Sequence, residues 1–254
     1  MNILVCVKRV PDPGTKIELT ADSRAVDTSK LGFTISPHEE CAVEEAVQMI
    51  EEHGGEGTVL TLGLPESDAQ LRDALAVGME RGILIETDGS DWDPGQTAKA
   101  IAAAIEEDQT RHGPFDLLMF GNESADSGGF QVGIRVANAL DLPCITGVKS
   151  MEMEDGQLVC KREYGDGWEV YKIPLPAVVT VKEGLNLPRH PSLRGTMKAK
   201  KKKIEFVQPE KVSAQLVMNR LRHPAETSKE VEILGEGAAA APKVIELLRK
   251  LEVL

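Results

Sequence analysis

The chain has 254 residues, of which 41% are hydrophobic, 28% charged and 4% aromatic, and its formal net charge is −12. That length holds one large domain or two small ones, around a core that must be aliphatic. The acidic balance speaks against general nucleic-acid binding, and the four cysteines (Cys6, Cys41, Cys144, Cys160) form no C-x-x-C pair, which argues against a disulfide frame or a zinc site.

Each cysteine lies in or beside an apolar segment, as packed, reduced thiols do, and five scattered histidines supply no metal cluster. Residues 2–7 read as a buried strand. The segment shows no signal peptide, transit peptide or membrane-spanning run, and the expectation is a cytoplasmic protein without membrane insertion. Residues 8–35 are polar, with turn signals from Pro11 to Gly14. Ser36-Pro37 then opens a helix, with serine at the N-cap, proline at the first helical position and Glu39 and Glu40 in the first turn. Ala42, Val43, Ala46, Val47 and Ile50 form its apolar stripe, and Gly54-Gly55 ends it.

The pattern repeats. Strands are expected at 58–62, 82–86 and 115–120, and helices at 66–77, about 95–111 and 129–140. This alternation predicts an α/β fold with a mostly parallel sheet covered on both faces. From residue 147 the rhythm changes. Turn signals at Asp155-Gly156 and at 165–167, with alternation over 158–163, predict antiparallel additions to the sheet. A further buried strand covers 176–182. Residues 207–235 are polar and weakly periodic and read as an arm, followed by a helix over about 237–252. The organisation is therefore a domain over 1–206 and a C-terminal arm and helix over 207–254.

Ligands of open parallel sheets sit beyond the carboxyl ends of the strands. Three segments leave strands there: 63–65, the helix start at Ser36, and 121–132 after the 115–120 strand. The last is the richest. Gly121, Gly128 and Gly129 admit close backbone approach, Asn122, Ser124, Asp126, Ser127 and Gln131 supply polar groups, and a following helix start can hold a phosphate. It matches neither the P-loop nor the G-x-G-x-x-G fingerprint, so a capped turn and a binding loop both remain open. No G-x-S-x-G is present, and no histidine has a nucleophile beside it in sequence, so no catalytic residue is assigned. The acids Glu39, Glu40, Glu44 and Glu45 read as a solvated helix face.

Residues 184–204 combine a loop bracketed by Pro188 and Pro191, an apolar Leu193 at its tip, and lysines at 198 and 200–203. A solvated lysine turn and a docking handle are the two readings. Prolines restrict the backbone, which suits a loop that holds its shape before a partner arrives.

Several motifs occur in an order that resembles the β subunit of electron transfer flavoprotein. They are Lys8-Arg9-Val10, Ala42-Val43-Glu44-Glu45-Ala46, the 74–82 stretch, Ala125-Asp126-Ser127-Gly-Gly-Phe-Gln131, and Leu187-Pro-Arg189 through Met197-Lys-Ala-Lys-Lys-Lys202. The resemblance implies an adenine-nucleotide-binding, Rossmann-like domain that pairs with a larger α subunit. It implies AMP in this chain and a shared FAD bound mainly by the α subunit. Electrons would pass from acyl-CoA and related dehydrogenases to a quinone reductase or other acceptor. The cofactor contacts it implies are Cys6, Ser36, Pro37, His38, Glu39, Leu62, Gly121, Asn122, Glu123, Ser124, Ala125, Asp126, Ser127, Gly128, Gly129, Phe130, Gln131 and Val132. It implies docking through Leu193, with Pro188, Arg189, Pro191, Met197 and Lys198 around it. Two alternatives stand beside this: a flavin-bifurcating relative with FAD in place of AMP, and a nucleotide-binding α/β domain without redox chemistry.

Overall fold

In a computed structural model, which describes residues 1–210, 212–224 and 232–254, the chain divides into two units, Met1–Asn219 and Arg220–Leu254. The arm expected over 207–254 includes residues 211 and 225–231, which lie outside the described residues.

The first unit is built on nine strands of one sheet and a two-stranded ribbon. In chain order these are β1 (Asn2–Cys6), β2 (Arg9–Pro11), β3 (Phe33–Ile35), β4 (Glu56–Gly63), β5 (Arg81–Glu86), β6 (Leu117–Gly121), β7 (Cys144–Glu154), β8 (Gln157–Tyr164), β9 (Gly167–Ile173), β10 (Ala177–Val181) and β11 (Ile204–Val207). The sheet order is β11-β5-β4-β1-β6-β10-β7-β8-β9, parallel from β11 to β7. β8 and β9 add antiparallel to it. This is the α/β class with the antiparallel extension that the sequence predicts.

The helices are α1 (Pro37–His53), α2 (Asp68–Val77), α3 (Pro94–His112), α4 (Val132–Ala139) and α5 (Leu193–Ala199), with α6 (Ala241–Lys250) in the second unit. Period-two alternation splits the core. Ile3, Val5, Val59 and Met119 face α1 and α2, whereas Leu4, Leu60, Leu118 and Val178 face α3 and α4. α1 ends at Gly54, whose φ of +74° suits glycine and whose N–H reaches the Ile50 carbonyl. α3 starts with a full capping box at Asp93 and Gln96. Among the described residues, no helix is long and apolar enough to cross a membrane.

Four sequence expectations are corrected. The helix expected from 129 begins only at Val132, because Gly128 and Phe130 both take φ of +54°, outside the α-helical region. Residues 8–35 hold the β2–β3 ribbon, whose three-residue strands are too short to show a period. The acidic face of α1 is not solvated throughout, since Glu39 and Glu44 are buried. The stretch around Leu193 is the helix α5 rather than a loop tip, with Ser192 Oγ accepting from the Gly195 N–H.

In the second unit, α6 follows a 3₁₀ turn (Gly237–Ala240) and leaves Val244 and Ile245 exposed.

Candidate functional site

From β1 the chain builds the sheet outward through β4 and β5 on one side and through β6, β10 and β7 on the other. The order therefore reverses between β1 and β6. The carboxyl ends of strands flanking such a reversal leave a crevice where ligands of open α/β sheets bind. A cleft of about 430 Å³ opens there, within the usual size range of small-molecule pockets.

Twelve positions expected from sequence line it: Cys6, Glu39, Leu62, Gly121, Asn122, Glu123, Ser124, Ser127, Gly129, Phe130, Gln131 and Val132. Six others stand behind or beside the wall. Ser36 is fully buried and its hydroxyl donates to the Glu123 carbonyl at 3.4 Å instead of capping its own helix. His38 accepts the Glu183 N–H on Nδ1 at 2.7 Å and faces Glu123 through Nε2 at 3.4 Å. Pro37 opens α1, and Ala125, Asp126 and Gly128 lie in the 121–132 loop. Asp126 holds the Lys8 ammonium with both oxygens, at 2.8 and 2.6 Å, and so ties the 121–132 loop to the end of β1.

The cleft has a further wall that sequence reasoning missed. Thr87, Gly89, Ser90, Asp91, Trp92, Pro94, Thr97 and Ile101 line it, together with Lys8, Arg9, Ser67 and Thr180. The rule that placed the other three segments also applies to residues 87–94, because they leave β5 at the same sheet edge. Asp93-Pro94-x-Gln96 was the signal, a cap that marks a helix start beside the site.

The cleft combines apolar surface with hydroxyl groups and backbone donors. Leu62, Ile101 and Phe120 give apolar surface, while Thr97, Ser124 and Ser127 give hydroxyls. Ser124 and Ser127 already share a hydrogen bond of 2.8 Å. The loop then leads into α4, where unpaired N–H groups favour an anion. Gly121 is a close approach: a Cβ there would lie 2.6 Å from Glu39 Cγ. Asn122 is fixed by Thr180, whose hydroxyl donates to its side-chain carbonyl at 2.9 Å and accepts from the Gly147 N–H.

The titratable groups are unusual. Burial, and then the neighbouring Glu39 carboxyl, push the Cys6 thiol well above its ordinary value, so it is an inert wall rather than a nucleophile. Burial raises Glu39 to about 8 against the opposing pull of Lys8. Asp126 is held low: burial works against this, and the Lys8 charge outweighs it.

A second cleft of about 450 Å³ lies between α3, α4 and residues 212–215. Its walls are helix and chain surfaces with no strand end, which sets it apart from the sheet-edge geometry.

The expected docking residues gather on a different surface. Leu193 is 81% exposed and Met197 lies one helical turn on, also exposed. Lys198 and Pro191 are exposed beside them, and Pro188 is half-buried. Arg189 turns back onto α1, where it meets Glu44 and Glu51. Asn186 Nδ2 donates to the Cys41 carbonyl at 3.0 Å and to Glu45 at 2.9 Å. Lys202, within the lysine run, donates to the Leu75 and Met79 carbonyls and so closes the end of α2.

Comparison with known proteins decides the family. Residues 24–212 match the electron transfer flavoprotein domain. The chain belongs to the electron transfer flavoprotein family. It is a β-subunit member, similar at 35% identity over 257 residues to the electron transfer flavoprotein subunit beta of Bacillus subtilis, with 98% of each chain covered. The subunit beta of Syntrophomonas wolfei is 32% identical over 250 residues, covering 98% of this chain and 96% of that one. The human subunit beta is 35% identical over 213 residues, covering 82% of each.

Proposed function

We propose that this chain is the β subunit of a heterodimeric electron carrier, holding AMP in the β1/β6 cleft and docking dehydrogenases through Leu193. The observation that carries the reading is the cleft itself: an apolar slot and a glycine-rich, hydroxyl-bearing loop sit where the strand order reverses. The α subunit would complete the assembly and hold most of the FAD, and the apolar residues of α6 suit packing on it. When bound there, the flavin supplies the electron transfer. This chain's own residues do three other things. Leu62, Ile101 and Phe120 exclude water around a base, the 121–132 loop orients a phosphate, and Leu193 with Met197 offers an apolar anchor. Acyl-CoA and related dehydrogenases are the proposed donors, and a quinone reductase or similar protein the acceptor. The protein acts as a carrier rather than as an enzyme.

The test is to express the chain with its α subunit and to weigh the ligands released from the purified complex. One FAD and one AMP per particle is the expected result. Two FAD and no AMP would favour the bifurcating alternative. A colourless complex without nucleotide refutes the reading. Gly121→Val should lower AMP content, because the new side chain must displace Glu39.

A further inference from the structure

Glu39 sits in the first turn of α1, is 6% exposed and lines the cleft. One of its oxygens accepts the Lys8 N–H at 2.7 Å. The cations and acids around it are otherwise committed. At the end of β1, the Lys8 ammonium is held by both oxygens of Asp126, and the Cys6 thiol is buried. In β2, the Arg9 guanidinium lies over the Phe33 ring, 3.4 Å from its centre. On its own helix, His38 accepts a backbone N–H on Nδ1, so the ring carries its proton on Nε2, toward Glu123. On the 121–132 loop, Glu123 and Asp126 are both acids. Among the described residues, no cation lies within ion-pairing distance of the Glu39 carboxyl.

A buried carboxylate without a counter-ion is costly, and the neutral acid is the usual escape. A phosphate entering the same cleft adds a second anion and strengthens that preference. The acid form also carries an O–H, which a phosphate, ribose or base acceptor can use, whereas the carboxylate can only accept.

We propose that Glu39 meets the bound nucleotide as a neutral carboxylic acid, so that adenylate binding takes up a proton at this residue. This rests on the nucleotide reading of the cleft and adds its ligand-linked protonation. Burial has already raised the Glu39 carboxyl to about 8 in the free site. Binding is then strongest below that value and weakens as pH rises through it, by up to about tenfold per pH unit for one linked proton.

The experiment uses the full chain with its α subunit, stripped of resident nucleotide, and AMP as the probe. Calorimetry from pH 7 to 9, in two buffers of different ionisation enthalpy, reads affinity and proton uptake together. That window lies above the secondary ionisation of the phosphate, at about 6. Wild type should take up close to one proton per AMP at the alkaline end, and its affinity should fall about fivefold between pH 8 and 9. Glu39→Gln should bind with an affinity flat across the window and without that uptake. AMP binding that is equally pH-independent in wild type overturns the proposal while leaving the nucleotide reading intact. Absence of AMP binding at every pH sinks both. A carbon-13 titration of the Glu39 carboxyl in the free complex tests the protonation without a ligand. A midpoint near the ordinary 4.5 rather than in the neutral range overturns the proposal whatever the binding data show.

Discussion

Arg189 closes its guanidinium on the buried carboxylate of Glu44, with Nε 2.9 Å from Oε2 and Nη2 3.1 Å from Oε1. Its other edge takes Glu51, at 2.7 and 2.9 Å. Glu44 also accepts the Arg189 backbone N–H and the Gln48 amide. The segment that leads to α5 is therefore clamped to α1, the same helix whose first turn lines the β1/β6 cleft. Arg189→Ala would leave Glu44 buried with only the Gln48 amide and the backbone N–H of residue 189 beside it, and no cation among the described residues. The expected cost is about 1–3 kcal/mol of stability, read by urea unfolding. Donor reduction should slow, with nucleotide content unchanged. Arg189→Lys should recover little, since an ammonium cannot reproduce the fork. Wild-type docking kinetics in Arg189→Ala would show that the clamp does not set the position of Leu193.

The leucine itself makes the second prediction. Leu193 and Met197 share the outward face of α5, while Ala199 at its end is buried. Burying one leucine side chain is worth roughly 1.5–3 kcal/mol, or about 10- to 100-fold in affinity. Leu193→Ala should weaken a dehydrogenase complex by that factor while FAD and AMP contents stay constant. Gly195→Ala should mimic it for a different reason. A Cβ at 195 would run into the Ala76 carbonyl oxygen, so α5 must lift off α2 and carry Leu193 with it. Binding isotherms of both variants against the wild type check this. Loss of flavin in Leu193→Ala, rather than loss of docking, would count against the anchor.

Much of this architecture was legible in sequence, and the exceptions share a cause. The β-α rhythm and the helix start at Ser36-Pro37 follow from local pattern, which a strand or helix imposes on its own residues, whereas the Ser36 hydroxyl leaves its own helix for the distant Glu123 carbonyl. The burial of Glu39 and Glu44 does not, because it depends on Lys8 and on Arg189, 31 and 145 residues away. Lys202 looked like one of a solvated run, yet its ammonium finds the end of α2, more than 120 residues distant. Charges are read as solvent-facing until a distant partner is known. The wall formed by residues 87–94 is a different case. Its place at the end of β5 followed from the same sheet rule as the other loops, and its polar composition hid it among turns.

Asp93 supplies the last prediction. One of its oxygens caps α3 by accepting the Gln96 N–H at 2.8 Å, and Gln96 Oε1 returns the contact to the Asp93 N–H. The other oxygen accepts the Gln215 and Leu216 N–H groups at 2.6 and 3.1 Å, which fastens the chain beyond β11 to the start of α3. These backbone donors, Gln96 first, hold the Asp93 carboxyl down to about 2, below its ordinary 3.8. A depressed carboxyl stabilises the fold above its unfolded value, and that stabilisation disappears as pH falls through the folded one. The window therefore runs from about pH 4 down to about pH 2. Amide exchange at Gln215 and Leu216, corrected for intrinsic rates, should stay slow to the top of that window and quicken across it. Asp93→Asn can keep an acceptor for the cap but cannot accept from both sides. It should show fast exchange at 215 and 216 even at neutral pH, with α3 still protected. Equal protection in the two proteins would place the hold on this segment in the Gln96 amide, which donates to the Val212 carbonyl at 2.5 Å, and not in the Asp93 carboxylate.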